Sequence, residues 1–139
     1  MSVLVDTNVF VAATNTKDEH HIRGLELVEE LRRGQHGEAI TTDFVFDEVV
    51  TVALARTGSV ETAVKAAAFI LPADPEGAWI RLQEVTRETL LRAWDLFRTS
   101  GRRDLSFTDW TLVAFVRQGR ADSVVSFDED LDGLVPRVS

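Results

Sequence analysis

A short unbroken apolar run, Val3-Leu4-Val5, ends directly on an aspartate, and the pattern returns near the far end of the chain, where Ser123 to Phe127 leads into Asp128. Runs of this kind belong to central strands of a parallel sheet, buried on both faces. Parallel strands need long crossover connections, and the residues between the two runs supply them. After a polar stretch from Thr14 to His21, Ile22, Leu25, Val28 and Leu31 recur at helical spacing up to the Gly34 and Gly37 pair. Ala39 to Thr42 is a short strand. Thr42 or Asp43 then caps a helix running to Arg56, with Gly58 as its stop signal. Ser59 opens another helix through Leu71, ended by Pro72 and Pro75. Ala78 to Val85 alternates like a strand, Thr86 to Ser100 is helical up to Gly101, Phe107 to Gln118 is a further helix, and Val135 to Val138 can add an edge strand. Strands alternating with helices predict one α/β domain over residues 1–139, with a mostly parallel central sheet. Ligands in such folds bind outside the carboxyl ends of the strands, which is where Asp6 and Asp128 stand.

The 139 residues can bury a core without staples. Area scaling for this mass gives about 7,200 Å² of folded surface against about 22,500 Å² unfolded. The chain has no cysteine, so disulfide frameworks, thiolate zinc sites, iron–sulfur ligation and cysteine nucleophiles are excluded. No apolar stretch is long enough to cross a bilayer, and Met1 to Asp6 lacks the basic and long apolar regions of an export signal, so the cytoplasm is the expected compartment and no membrane partner is expected. The net charge of −8 argues against a broad basic face for nucleic acid. A metal-dependent nuclease is compatible with that charge, because bound cations and a few placed arginines can attract phosphate.

Several chemistries fall on their motifs. No glycine-rich dinucleotide or P-loop pattern, no Gly-x-Ser-x-Gly elbow and no His-Glu-x-x-His occurs. Asp128-x-Asp130-x-Asp132-Gly133 resembles the opening of a calcium loop, but the twelfth position would be Ser139 rather than Glu. His20, His21 and His36 lie in polar segments without a second cluster at ligand spacing, and read as solvent-exposed loop histidines. Four acids remain, each at an apolar segment: Asp6, Glu48, Asp109 and Asp128. Each also has a structural explanation. Asp6 and Asp128 can end strands, Ser106-x-x-Asp109 is a capping-box pattern, and Asp47 rivals Glu48 on its helix.

The ordered set Asp6-Thr7-Asn8, Asp47-Glu48, Thr108-Asp109 and Ser126-Phe127-Asp128 resembles the PIN-domain ribonuclease family, over essentially the whole chain. The opening Val-Leu-Val-Asp-Thr-Asn-Val-Phe and the closing Ser-Phe-Asp-x-Asp-Leu look like the VapC-type toxins of type II toxin-antitoxin systems. The resemblance implies a three-layer α/β/α fold with a parallel sheet of four to five strands. It also implies an acidic pocket for Mg²⁺ or Mn²⁺ and endonucleolytic cleavage of RNA. By position, Asp6, Glu48, Asp109 and Asp128 match the family's catalytic and metal-binding acids, and Thr7 or Asn8 its first-loop polar position. Asp130 and Asp132 leave the fourth ligand open. A small antitoxin and a homodimer are the implied partners.

The physics of the quartet agrees. Two carboxylates about 5 Å apart at an effective dielectric near 20 repel by roughly 3 kcal/mol, so four together need cations or protons. Hard oxygen donors select Mg²⁺ or Mn²⁺, which use substrate phosphate oxygens to complete their coordination. A water activated in this way attacks phosphorus in line and leaves 5′-phosphate and 3′-hydroxyl ends. Arg102 and Arg103 are candidates for guiding the phosphate backbone, or form a solvated basic turn. Trp79, Trp94 and Trp110 sit in apolar segments and are assigned to core or interface rather than to base stacking. The Ala- and Val-rich helix from Ser59 to Leu71 offers a small-residue face for pairing, which core packing explains equally. A phosphotransfer receiver domain, also α/β with acids at strand ends, ranks well below, since it expects an adjacent acidic pair near the first strand and a lysine late in the chain, and neither is present. Two rivals stand closer to the toxin reading. One is a catalytically silent PIN-like module that binds RNA or protein; the other is a nuclease of RNA maturation or turnover without an antitoxin.

Overall fold

The computed structural model describes residues 1–139 and exposes 7462 Å² of surface, close to the area the chain's mass requires. Five strands form one wholly parallel sheet: β1 (Ser2–Val5), β2 (Glu38–Thr42), β3 (Arg81–Gln83), β4 (Ser123–Val125) and β5 (Arg137–Val138). Their spatial order is β3-β2-β1-β4-β5. Six helices connect them: α1 (Thr7–Thr14), α2 (His21–Arg32), α3 (Asp43–Thr57), α4 (Val60–Ala67), α5 (Arg87–Ser100) and α6 (Phe107–Arg117). The chain steps from β1 outward to β3 through α1 to α4, and α5 and α6 then carry it back across to β4 on the other side of β1. Helices α1 to α4 pack among themselves, as do α5 and α6, giving the three layers. Val3, Leu4 and Val5 are buried at the centre of the core, as an unbroken apolar run predicts.

The caps follow the sequence. Thr42, rather than Asp43, caps α3, its hydroxyl accepting from Val45 N at 3.2 Å. Gly58 ends that helix in the left-handed region, φ 66°, where a Cβ would be strained. Ser59, Thr86 and Ser106 cap α4, α5 and α6.

Other expectations change. Helix α1 carries no amphipathic period because it is buried nearly all round, from Val9 to Ala13, so its apolar residues are consecutive rather than spaced. On α2 the core stripe is Gly24, Leu27, Val28 and Leu31, while Ile22 and Leu25 are exposed. Gly24 is the reason: a Cβ there would lie 3.0 Å from Ala13 N, so this face alone can approach α1. The strand expected over Ala78 to Val85 shortens to β3, an edge that pairs through three residues. Regular helix in the Ser59 to Leu71 segment stops at Ala67. The last strand contracts to Arg137–Val138 behind Pro136.

This topology reverses direction between β1 and β4, and the carboxyl ends of these two neighbours open one crevice.

Candidate functional site

Asp6 leaves β1 and becomes the N-cap of α1, its Oδ1 accepting from Thr7 N at 2.7 Å. From the end of β4, Ser126 donates its hydroxyl to Asp6 Oδ2 at 2.7 Å. The same hydroxyl accepts from Asn8 Nδ2 and from Asp128 N, both at 3.0 Å. Asn8 Oδ1 in turn accepts from Phe127 N at 3.1 Å. The ends of β1 and β4 are thus tied by side chains whose positions differ by about 120 in sequence, and Asp128 is held beside Asp6.

Glu48 enters from α3, on the stripe Glu48, Val52 and Arg56 that faces the crevice, while Asp47 points to solvent. Asp109 comes from the first turn of α6. It does make the capping box, its Oδ2 accepting from Ser106 N at 2.8 Å and its own N–H donating to Ser106 Oγ at 3.1 Å. The helix cap therefore orients Asp109 within the cleft, so the capping role does not compete with a place in the site. All four acids line a single cleft of about 260 Å³.

Buried charge dominates its electrostatics. Burial raises the Asp6 carboxyl to about 7, with repulsion from Asp109 and Glu48 adding to it, against the hydrogen bonds from Ser126 and Thr7. Burial likewise raises Asp109 to about 6, opposed by the Ser106 backbone N–H, with Glu48 and Asp128 adding repulsion. None of the four acids is in an ion pair with a basic side chain.

The donor set fits a hard divalent cation: carboxylate oxygens throughout, uncompensated charge, and a buried Thr7 hydroxyl in the cleft that has no hydrogen-bond partner. The closed shell is not preformed, since no three acidic or histidine side chains converge closely enough to hold an ion as they lie. Asp6, Asp109 and Asp128 each spend an oxygen on a backbone N–H.

Several sequence candidates stand elsewhere. Asp130 and Asp132 lie outside the cleft, and Asp132 is paired with Arg137 at 2.7 Å, whereas Asp128 lines it. Arg102 is spent on Asp104 at 2.9 Å and on the Asp130 carbonyl at 2.9 Å, so its fork is not free for phosphate, and Arg103 is an exposed turn residue outside the cleft. The histidines are half-buried rather than exposed: His20 stacks on Phe127, His21 Nδ1 lies 2.7 Å from the Ala12 carbonyl, and His36 pairs with Glu30 at 2.7 Å. Trp110 is core and Trp79 packs against it, but Trp94 is half exposed. Three contributors escaped the sequence reading. The hydroxyl of Ser126 organises two of the acids, and Arg56 and Asp104 line the cleft. Arg56 was signalled by its position two helical turns after Glu48; nothing local marks the other two.

A family model described as PIN domain matches residues 3–134. Among solved structures, the chain is similar to VapC20 of Mycobacterium tuberculosis, a sarcin-ricin loop cleaving toxin. The identity is 27%, the TM-score is 0.71, and 92% of this chain and 91% of that one are covered. It shares its fold with VapBC2 from Rickettsia felis, solved bound to a DNA fragment from their promoter, at 12% identity and a TM-score of 0.67 over 99% and 98% of the two chains. A comparison with curated proteins gave no match.

Proposed function

The chain belongs to the PIN-domain family, and from that premise we propose that it is a metal-dependent endoribonuclease, the toxin of a toxin-antitoxin pair. One observation carries the reading: Asp6, Glu48, Asp109 and Asp128, drawn from four separate segments, line one cleft without a single basic side chain paired to them. The likeness to a sarcin-ricin loop cleaving toxin supports RNA as the substrate. An antitoxin is supported by the likeness to a VapBC complex.

In this reading the four carboxylates hold Mg²⁺ or Mn²⁺. The ion supplies neutralisation of the phosphate charge and activation of the attacking water. The chain's own part is positional. Ser126 and Asn8 tie Asp6 and Asp128 together, and the Ser106 cap fixes Asp109, so three of the four acids are held at the cleft before any ion draws the carboxylates closer. Water as the nucleophile leaves 5′-phosphate and 3′-hydroxyl ends and makes no use of the ribose hydroxyl.

Purified protein incubated with RNA and Mg²⁺ or Mn²⁺ is the test. Cleavage that stops in EDTA and returns on adding metal is expected; cleavage undiminished in EDTA sinks the reading, and its absence under all metals favours a silent binding module. For the partner, an antitoxin tail that inserts Arg or Lys among the carboxylates would replace the cation and block phosphate. Self-association is supported by Val60 and Val64, which α4 leaves exposed beside Leu54, while its Ala63 and Ala66 serve the core. Light scattering on material co-purified from the native operon reads both: a lone monomer with no bound small protein removes the antitoxin and the homodimer together.

A further inference from the structure

The acidic cleft continues on one side into a second cavity of about 440 Å³, between the segment joining α1 to α2, the end of α3, and Phe127. The two share Asn8, Arg56 and Asp128. Arg56 is the one basic side chain that lines the acidic cleft. Its side chain is 57% exposed, and its ion-pair partner, Asp18, lies 3.8 Å away, so the guanidinium fork is loosely held. Lys17, one of only two lysines in the chain, lines the adjoining cavity and is exposed. The acids of this cavity are partly engaged: Asp18 accepts from His20 N at 2.8 Å, and Glu19 lies 3.3 Å from His20 Nε2. His20 and Phe127 stack nearly flat, their centroids 4.3 Å apart at 7°. Across the cleft, the rim arginine Arg102 is consumed by Asp104.

We propose that this cavity is a nucleotide subsite for the single RNA strand next to the scissile bond, with Arg56 and Lys17 on a flanking phosphate and the Phe127–His20 pair stacking a base. The inference rests on the nuclease reading and deepens it. A strand whose scissile phosphate lies among the carboxylates must lead its next phosphate out of a region of strong negative charge, and Arg56 marks the exit where a cation receives it. A planar aromatic pair beside a guanidinium is the combination with which proteins hold unpaired bases without reading their sequence. A strand threaded this way is single, which a duplex cannot match.

The test compares wild type with Arg56→Gln, Arg56→Lys, Lys17→Gln and Phe127→Leu, using Arg103→Gln as the control outside the cleft. Initial rates are read on a short single-stranded oligoribonucleotide, and binding of the same fluorescent strand is read on an Asp109→Asn background across a salt series. Arg56→Gln is expected to raise KM and Kd about tenfold, with a smaller fall in kcat, and to flatten the salt dependence by the equivalent of about one phosphate contact. Arg56→Lys recovers part of the loss. Lys17→Gln acts in the same direction more weakly, and Phe127→Leu weakens binding without changing the salt slope. The Mg²⁺-induced rise in melting temperature should be the same in all of them, which separates lost RNA contacts from a damaged fold. Unchanged affinity and salt slope in Arg56→Gln overturn the subsite, as does release of a co-purifying protein with RNA affinity intact, which would assign the face to a protein. Wild type that binds this strand through Arg56 yet never cuts it would sink the nuclease reading and leave the subsite standing.

Discussion

Two acid clusters in this molecule are built in opposite ways. On α2, Glu30 is gripped by Arg23 at 2.6 Å and by His36 at 2.7 Å, and these partners, Arg23 foremost, hold its carboxyl below the usual range. In the cleft, Asp6 has only hydrogen bonds and other acids for company, and burial pushes it up to about 7. The residue types are the same; what differs is whether the fold delivers a cation. A compensated acid stabilises the structure that surrounds it, whereas an uncompensated one stores unfavourable energy that a ligand of opposite charge can release.

The largest effect expected from breaking this contrast is on activity. Asp6→Asn or Asp109→Asn should lower RNA cleavage by at least about a hundredfold, the scale on which direct catalytic groups act, whereas Asp47→Asn and Asp132→Asn should remain close to wild type. A dead Asp47→Asn protein with an active Glu48→Gln protein would reverse the assignment on α3.

Next in size is the dependence of stability on pH without metal. Asp6, and Asp109 at about 6, have folded values above their unfolded ones near 4, so between those limits the folded state takes up protons that the unfolded chain does not. Their penalty is fully present at pH 8 and is relieved as the pH falls through 7 and 6. Thermal melts in EDTA should therefore rise from pH 8 to about pH 5. Asp6→Asn should melt at or above wild type at pH 8 and lose most of this slope. A wild-type melting temperature that falls steadily over that range would contradict the assignment.

Added Mg²⁺ at neutral pH should then stabilise wild type more than Asp6→Asn, because binding to the folded state alone shifts its melting. Equal shifts would remove Asp6 from the ligand set. The smallest effect belongs to the other cluster. Glu30→Gln should cost up to about 1 kcal/mol at pH 7, the scale of a partly exposed pair. Because the Glu30 carboxyl is held low, that contribution is present above its unfolded value and disappears as the pH falls through the folded one, the reverse of Asp6. Urea melts of the variant at pH 7 and pH 3 would show whether the cost vanishes in acid.

How far the site was legible in advance depended on how local its causes are. Asp6 was visible because a charged residue directly after a buried strand marks a strand's carboxyl end, Asp128 because it follows the apolar run that contains β4, three residues beyond that strand's end, and Asp109 because its capping box is written within four residues. Arg102 misled because a basic turn reveals its charge and not its partner, and that partner, Asp104, is set by the fold of the turn. Helix α1 was hidden because a helix buried on every side has no period to detect.

The sequence by itself determined the parallel α/β layering, most helix caps and the four acids worth watching, since these follow from burial patterns and hydrogen bonding over a few residues. The sequence favoured Glu48 with Asp47 as its rival, and the rotation of α3 against the sheet is what turns Glu48 to the cleft and Asp47 to solvent. The tertiary structure alone decided that Ser126 reaches back across 120 positions to Asp6, and that Arg56 remains loosely held at the cleft's edge. Those facts depend on where the crossover connections return the chain, and no short-range preference encodes a meeting between strands β1 and β4.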